Sequence, residues 1–314
     1  MKNIIEIKNL TKKFGDFTAV NHINLKVREG EIFGFLGPNG AGKTTTISML
    51  TTLIKPTSGT AIISGHDLSA KGVNIRAIIG VVPQLFSLFP ELTAEENLAY
   101  IGKLYGMTDS EIRERSEYLL KTVDLYEHRD RIAYIFSGGM KQRLSLAAGI
   151  MSKPKILFMD EPTTGLDPQS RIAMRKLTKD LNKQGITIIY TTHDMDEAEK
   201  ICDRISIMDS GKIIAEGTSE ELKHMISESH KIEIEIDSPS KEIISEIKKL
   251  PYITSVELSG ALIIVTVKEK DDVFHRLSEF LHKKHQKLLE IRFKEPSLEE
   301  VFIQLTKEEL RDNQ

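Results

Sequence analysis

The chain has 314 residues, 40% of them apolar and 28% charged, with a formal net charge of −3 and one cysteine, Cys202. That length points to two domains, and the near-neutral charge gives no electrostatic case for a nucleic-acid partner. A single cysteine excludes an intrachain disulfide. No stretch approaches the roughly 18 apolar residues of a membrane span, so the chain reads as cytoplasmic, held at any membrane by another chain.

Residues 3–10 and 22–27 alternate like half-buried strands. Residues 31–36 form a short apolar run into a glycine-rich segment, and residues 43–53 are helix-like. A turn at 55–59 separates them from strands at 60–64 and 78–82. From about residue 92 to 130, charges and leucines recur at helical spacing, with Thr93-Ala94-Glu95-Glu96 as a helix start. This predicts a mostly helical insertion, about 86–150, whose last helix opens at Ser137-Gly138-Gly139. A buried strand at 155–159, a helix at 168–183, a strand at 186–190, a helix at 195–201 and strands to Ala215 complete an alternation that predicts a parallel α/β sheet.

The character shifts around residues 227–230. Residues 231–236 alternate strictly, 240–250 are helix-like, and 253–258 and 261–267 flank a hairpin signal at Ser259-Gly260. A helix at 271–284, a strand at 288–293 and an amphipathic helix at 297–310 follow. The order βαββαβ predicts a small α+β domain of the ferredoxin-like kind. The expected domains are 1–225 and 226–314.

Two motifs carry chemistry. Gly37-Pro38-Asn39-Gly40-Ala41-Gly42-Lys43-Thr44, with Thr45 next, matches the phosphate-loop pattern GxxxxGK[ST] between a strand and a helix. Its glycines let successive N–H groups turn toward phosphate oxygens, and the helix N-terminus adds a positive dipole end. Lys43 can reach the outer phosphates of a nucleotide and the Thr44 hydroxyl can ligate Mg²⁺. Residues 156–161 form an apolar strand ending in Asp160 and Glu161, at the carboxyl end where open α/β sheets place ligands. Asp160 suits a Mg²⁺ partner and Glu161 a base that polarises the attacking water. Adjacent strand residues point to opposite faces, so both acids can serve only if the chain turns there.

Further along, Phe136-Ser137-Gly138-Gly139-Met140-Lys141-Gln142-Arg143 resembles the signature motif of ABC ATPases. Gln84 resembles the Q-loop glutamine, residues 161–168 the Walker B end running into the D-loop, and His193 the switch histidine. Phe14 occupies the place of the aromatic that stacks on adenine. The resemblance spans about residues 3–220 and implies a P-loop NTPase core with a helical subdomain that binds and hydrolyses ATP. It implies that Gln84 senses the γ-phosphate, the water or the metal and that His193 contacts the γ-phosphate. It also implies that Ser137, Gly138 and Gly139 face ATP held by a second subunit, expected to be a homodimer mate, with Asp167 at the interface. Two departures stand out: Phe136 where leucine is common, and Met140 where glutamine is common. Residues 294–306 resemble the C-terminal end of ATP-binding subunits of bacterial drug-type exporters, which pair with a separately encoded membrane permease on the inner face of the membrane. An importer ATPase with a regulatory C-terminal domain, and a soluble ABC ATPase unconnected with transport, are the alternatives.

Overall fold

A computed structural model describes residues 2–69, 72–226, 230–237, 239–259, 262–267, 272–294 and 296–312. The chain divides into two units, Met1–Ser219 and Glu220–Gln314.

The first unit begins with β1 (Asn3–Phe14), β2 (Phe17–Arg28), β3 (Ile32–Leu36), α1 (Lys43–Leu50), β4 (Ser58–Ile63), β5 (His66–Asp67), α2 (Gly72–Arg76) and β6 (Ile79–Val82). Helices α3 (Ala94–Leu104), α4 (Asp109–Thr122) and α5 (Gly138–Gly149) come next. It ends with β7 (Ile156–Asp160), α6 (Pro168–Lys183), β8 (Thr187–Thr192), α7 (Met195–Ile201), β9 (Arg204–Asp209) and β10 (Lys212–Gly217). The central sheet has the order β10-β9-β3-β8-β7-β6. All its pairs are parallel except β9 with β10.

The central strands β3 and β7 are buried on both faces, so they are apolar runs, as residues 31–36 and 155–159 suggested. Successive residues serve opposite cores. Ile156 and Phe158 join Phe33, Phe35 and the antiparallel strands on one side. Leu157 and Met159 join Tyr190 and the insertion residues Leu98, Ile112, Leu119 and Leu144 on the other. Close packing reaches the backbone: a β-carbon on Gly34 would lie 2.7 Å from Cys202 Sγ, so the lone cysteine fills space a side chain on β3 would need. The second sheet, β2-β1-β4-β5, lies in the N-terminal part of this unit.

The helical insertion starts where the residues demand. Thr93 caps α3 by accepting from the Glu96 N–H, and the Glu96 carboxylate accepts from the Thr93 N–H. Thr108 and Glu111 repeat this reciprocal cap on α4.

Helix α8 (Ser219–Met225), which the alternation of residues had not revealed, leads into the second unit. There β11 (His230–Ile236), α9 (Lys241–Ile247), β12 (Ile253–Ser259), β13 (Leu262–Val267), α10 (Val273–Lys283) and β14 (Leu288–Lys294) precede α11 (Leu298–Asp312). The sheet order β12-β13-β11-β14, antiparallel throughout, is that of a ferredoxin-like fold. Ile232, Ile234, Ile236, Ile263, Val265 and Val267 turn one face of this sheet into a core closed by Ile243, Ile247, Val273, Leu277 and Leu281 of the two helices. On α11, Leu298 and Val301 are buried. Residues 227–229, where the character was read to shift, Gly260 of the hairpin signal, Asp271 and Glu295 lie outside the described residues.

Candidate functional site

The site forms where β3, β7 and β8 end side by side. Leu36 leads into the loop 37–42, and Gly42 is the N-cap residue of α1 with φ 104°, in the left-handed region open to glycine. The fit around the loop is tight: a β-carbon on Gly37 would lie 2.2 Å from the Met208 carbonyl oxygen, and one on Gly42 would lie 2.6 Å from that of Ala19. Pro38, Asn39, Gly40 and Ala41 complete the curve, with Gly40 also at positive φ. The buried Lys43 donates from Nζ to the carbonyl oxygens of Gly37 (2.7 Å) and Pro38 (3.0 Å).

Asp160 and Glu161 end β7, and both are buried, each with 6% of its surface exposed. Glu161 has φ 47°. This left-handed turn costs on the order of 1 kcal/mol for a residue with a β-carbon. It resolves how adjacent acids serve one site, because the alternation of the strand stops before Glu161. The conformation is held by the Glu161 N–H, which donates to the Thr191 hydroxyl (2.9 Å) and carbonyl (3.2 Å).

Asp160 Oδ1 accepts from the Thr44 hydroxyl at 3.2 Å and from the Thr191 hydroxyl at 2.6 Å. Glu161 gathers the other groups. Its Oε1 lies 3.4 Å from Lys43 Nζ. Its Oε2 accepts from Gln84 Nε2 (3.3 Å) and Thr164 Oγ1 (3.1 Å) and lies 3.1 Å from His193 Nδ1. Burial pushes the Glu161 carboxyl up, but the His193 hydrogen bond, the Lys43 charge and the Thr164 hydroxyl outweigh it and hold the group below its ordinary value. Glu161 is therefore a carboxylate at neutral pH, able to accept a proton.

A pocket of about 450 Å³ opens beside these groups, lined by Phe14, Asn39, Gly40, Gly42, Lys43, Thr44, Thr45, Gln84 and Glu161, with Phe17 and Ala19. Phe14 and Phe17 face each other across the β1–β2 hairpin and are both largely exposed. The motif-led reading of the sequence missed Phe17. The signal for it was available: Gly15-Asp16 is a two-residue hairpin turn, which sets Phe17 opposite Phe14.

The other expected residues stand apart. Ser137 is the N-cap of α5 and accepts from the Met140 N–H at 3.2 Å. Ser137 and Gly138 are exposed and Gly139 is buried, and none of the three lines the pocket. Asp167 is the N-cap of α6, accepting from the N–H (2.9 Å) and hydroxyl (2.7 Å) of Ser170. These bonds hold its carboxyl below the ordinary value. A phosphate loop, a carboxylate hub and a second, outward-facing helix N-terminus thus lie on one unit, with an aromatic pair at the pocket mouth.

Comparison with known proteins finds relatives of both units. The ABC transporter family model matches residues 20–164, and the model for the C-terminal domain of DrrA1-3-like ATP-binding proteins matches residues 217–306. The chain is 39% identical to the linearmycin resistance ATP-binding protein LnrL of Bacillus subtilis, over 98% of this chain and all of that protein. It is 36% identical to the Nod factor export ATP-binding protein I of Cupriavidus metallidurans, over 99% of this chain and all of that one. Among solved structures, the post-hydrolysis dimer of the ATP-binding cassette MJ0796 with ADP and Pi is similar, with TM-score 0.63 and 32% identity, covering 68% of this chain and 98% of that one. CbiO1 of Clostridium perfringens, part of the cbiONQ transporter complex, gives TM-score 0.66 and 29% identity, covering 80% and 97%. The chain belongs to the ATP-binding proteins of the ABC transporter family and is an ATPase of the ABC type.

Proposed function

We propose that this chain is the ATP-hydrolysing subunit of an exporter and works as one of two ATPase copies on a separate membrane permease. The observation that carries the hydrolytic part is the convergence of Lys43, Gln84, Thr164 and His193 on the Glu161 carboxylate. In this reading Lys43 and the N–H groups of residues 39–45 hold the phosphates, and Phe14 and Phe17 stack on the base. Glu161 takes the proton of the attacking water, while Gln84 and His193 orient the water and the γ-phosphate.

Mg²⁺ fits the oxygen donors present. The Thr44 hydroxyl and the Asp160 carboxylate are hard ligands 3.2 Å apart, and a small cation bound between protein and phosphates needs only one or two such groups, with Gln84 lining the same pocket as Thr44. The ion would neutralise phosphate charge.

The partner readings rest on two surfaces. Ser137, Gly138 and Gly139 form a helix N-terminus suited to an anion and outside the lining of the pocket on the same chain, as a site shared between two copies requires. Elsewhere on the first unit, an apolar cleft of about 590 Å³ is lined by Val73, Arg76, Ile79, Ile101, Leu104 and Tyr105. Leu85 and Phe86, directly after Gln84, are also exposed. An apolar surface of this kind marks an interaction site, and a permease segment seated there would reach Gln84. No helix among the described residues is long and apolar enough to cross a membrane. The relatives named for linearmycin resistance and Nod factor export favour export as the direction.

The test is Glu161→Gln. It should bind ATP, shift to a dimer in light scattering when ATP is added, and turn over about 10² times more slowly or worse. Full ATPase activity in this variant would sink the assignment of the base. Specific activity independent of protein concentration in a monomer would sink the shared site.

A further inference from the structure

One buried carboxylate takes no part in the chemistry described above. Glu197, in the first turns of α7, is 4% exposed. Its Oε1 accepts from the hydroxyl of the fully buried Tyr190 at 3.0 Å, and its Oε2 lies 3.7 Å from Arg175 Nε. Tyr190 pairs across the sheet with Met159 of β7, two residues before Glu161. A second link runs alongside. Asp194, the N-cap of α7, accepts from the Glu197 N–H at 3.0 Å and lies 3.6 Å from Arg171 Nη1. Arg171 in turn donates to the Leu166 carbonyl at 3.1 Å.

These contacts have a direction. Arg171 and Arg175 are four apart on one face of α6, and Asp194 and Glu197 are three apart on α7, so the helices are joined by two rungs. His193 is the residue immediately before Asp194. Tyr190 stands on β8 beside the end of β7, and the next residue, Thr191, holds the Glu161 N–H. The two ends of the 3.1 Å contact between His193 and Glu161 are therefore tied to each other through Tyr190 and Glu197. Burying a carboxylate is costly, and an apolar group of similar volume often packs there with greater stability. Polar partners drawn from two other elements, β8 and α6, indicate that this group specifies a geometry.

We propose that Tyr190 and Glu197, backed by Arg175, are positioning residues that set where His193 stands relative to Glu161. The inference rests on the roles given above to His193 and Glu161. Removing the Tyr190 hydroxyl leaves the pocket lining intact, because neither Tyr190 nor Glu197 lines it. The phosphates and base should bind as before, while the group facing the γ-phosphate is misplaced.

The experiment compares steady-state ATPase kinetics and nucleotide affinity of Tyr190→Phe, Glu197→Gln, Glu197→Leu and His193→Ala with the parent. Tyr190→Phe should lower kcat about tenfold, as small misplacements of reacting groups do, with KM for ATP within about twofold. Glu197→Gln keeps an oxygen for the Tyr190 hydroxyl and should retain more of kcat than Glu197→Leu. Arg175→Gln, on the rim of the network, should give a smaller drop in kcat of the same kind and serves if Tyr190→Phe does not fold. A lower melting temperature with unchanged kcat in the folded variants would overturn the proposal, as would kcat and ATP affinity falling together. Parent-level turnover in His193→Ala would remove the role assumed for His193 and this inference with it. Loss in His193→Ala with none in Tyr190→Phe or Arg175→Gln would overturn this inference alone.

Discussion

The two units bury different things. In the first, Lys43, Asp160, Glu161 and Glu197 are each at most 6% exposed, and Glu31 is nearly as enclosed. In the second, the buried residues among those described are apolar: isoleucines, valines and leucines on one face of the sheet and on the helices against it. Buried charge is costly, so a fold that needs only stability avoids it. The first unit carries three of these, Lys43, Asp160 and Glu161, together at the candidate site, and pairs Glu197 with Arg175 and Glu31 with Arg204. The lesson is that the location of buried charge separates the working half of this chain from the half whose interior is built for packing alone.

That contrast can be attacked from both sides. The largest effect is expected from Ile234→Ala, in the core of the ferredoxin-like sheet. It should cost about 3 kcal/mol of stability through lost burial and a cavity, read by chemical denaturation of the full chain. Nucleotide affinity should move by less than about twofold, since Ile234 belongs to the core of the second unit and shares no partner with the site of the first. A large loss of ATP affinity would show that the units are not energetically separate. Next comes Lys43→Ala, which removes a charged donor to phosphate and leaves Glu161 without its cation. ATP binding should weaken by about 10²-fold in equilibrium titration, and unchanged affinity would count against the phosphate loop.

The smallest effect concerns acid. Glu161 titrates below the ordinary 4.5 in the folded chain, so it adds stability that is fully present above that pH. The contribution is lost as the pH falls below 4.5 through the lowered folded value. Glu161→Gln should flatten that part of the stability curve on the acid side of pH 4.5, measured by denaturation at each pH. An identical acid limb in both proteins would show that other carboxylates dominate.

Much of the fold was legible because its causes are local. The Thr93–Glu96 cap announces α3 within four residues, and strict alternation at 231–236 announces a strand covered on one face. The phosphate loop is legible for the same reason, since strand, glycines and helix follow one another directly. What could not be read depends on distant residues. The order β10-β9-β3-β8-β7-β6 is set by packing among strands up to well over a hundred residues apart, and no local pattern encodes it. The left-handed backbone of Glu161 depends on Thr191, thirty residues away in sequence. Asp167 could be placed in a motif, but its two bonds to Ser170 show it also as an ordinary helix cap. Tyr190 and Glu197 look like unremarkable strand and helix residues in the sequence, because a buried hydrogen bond between them exists only once β8 and α7 have been packed together.

The fit of Gly139 has a consequence for assembly. A β-carbon there would lie 2.2 Å from Ser170 Oγ, and Ser170 is also the residue that Asp167 holds. Gly139 of α5 thus packs closely against Ser170 of α6, the serine that Asp167 holds. Two copies meeting over nucleotide would bring together faces that are already shaped, so little of the attraction is consumed in ordering either one. Docking would then resemble the meeting of two rigid castings, governed by how often they collide in the right orientation.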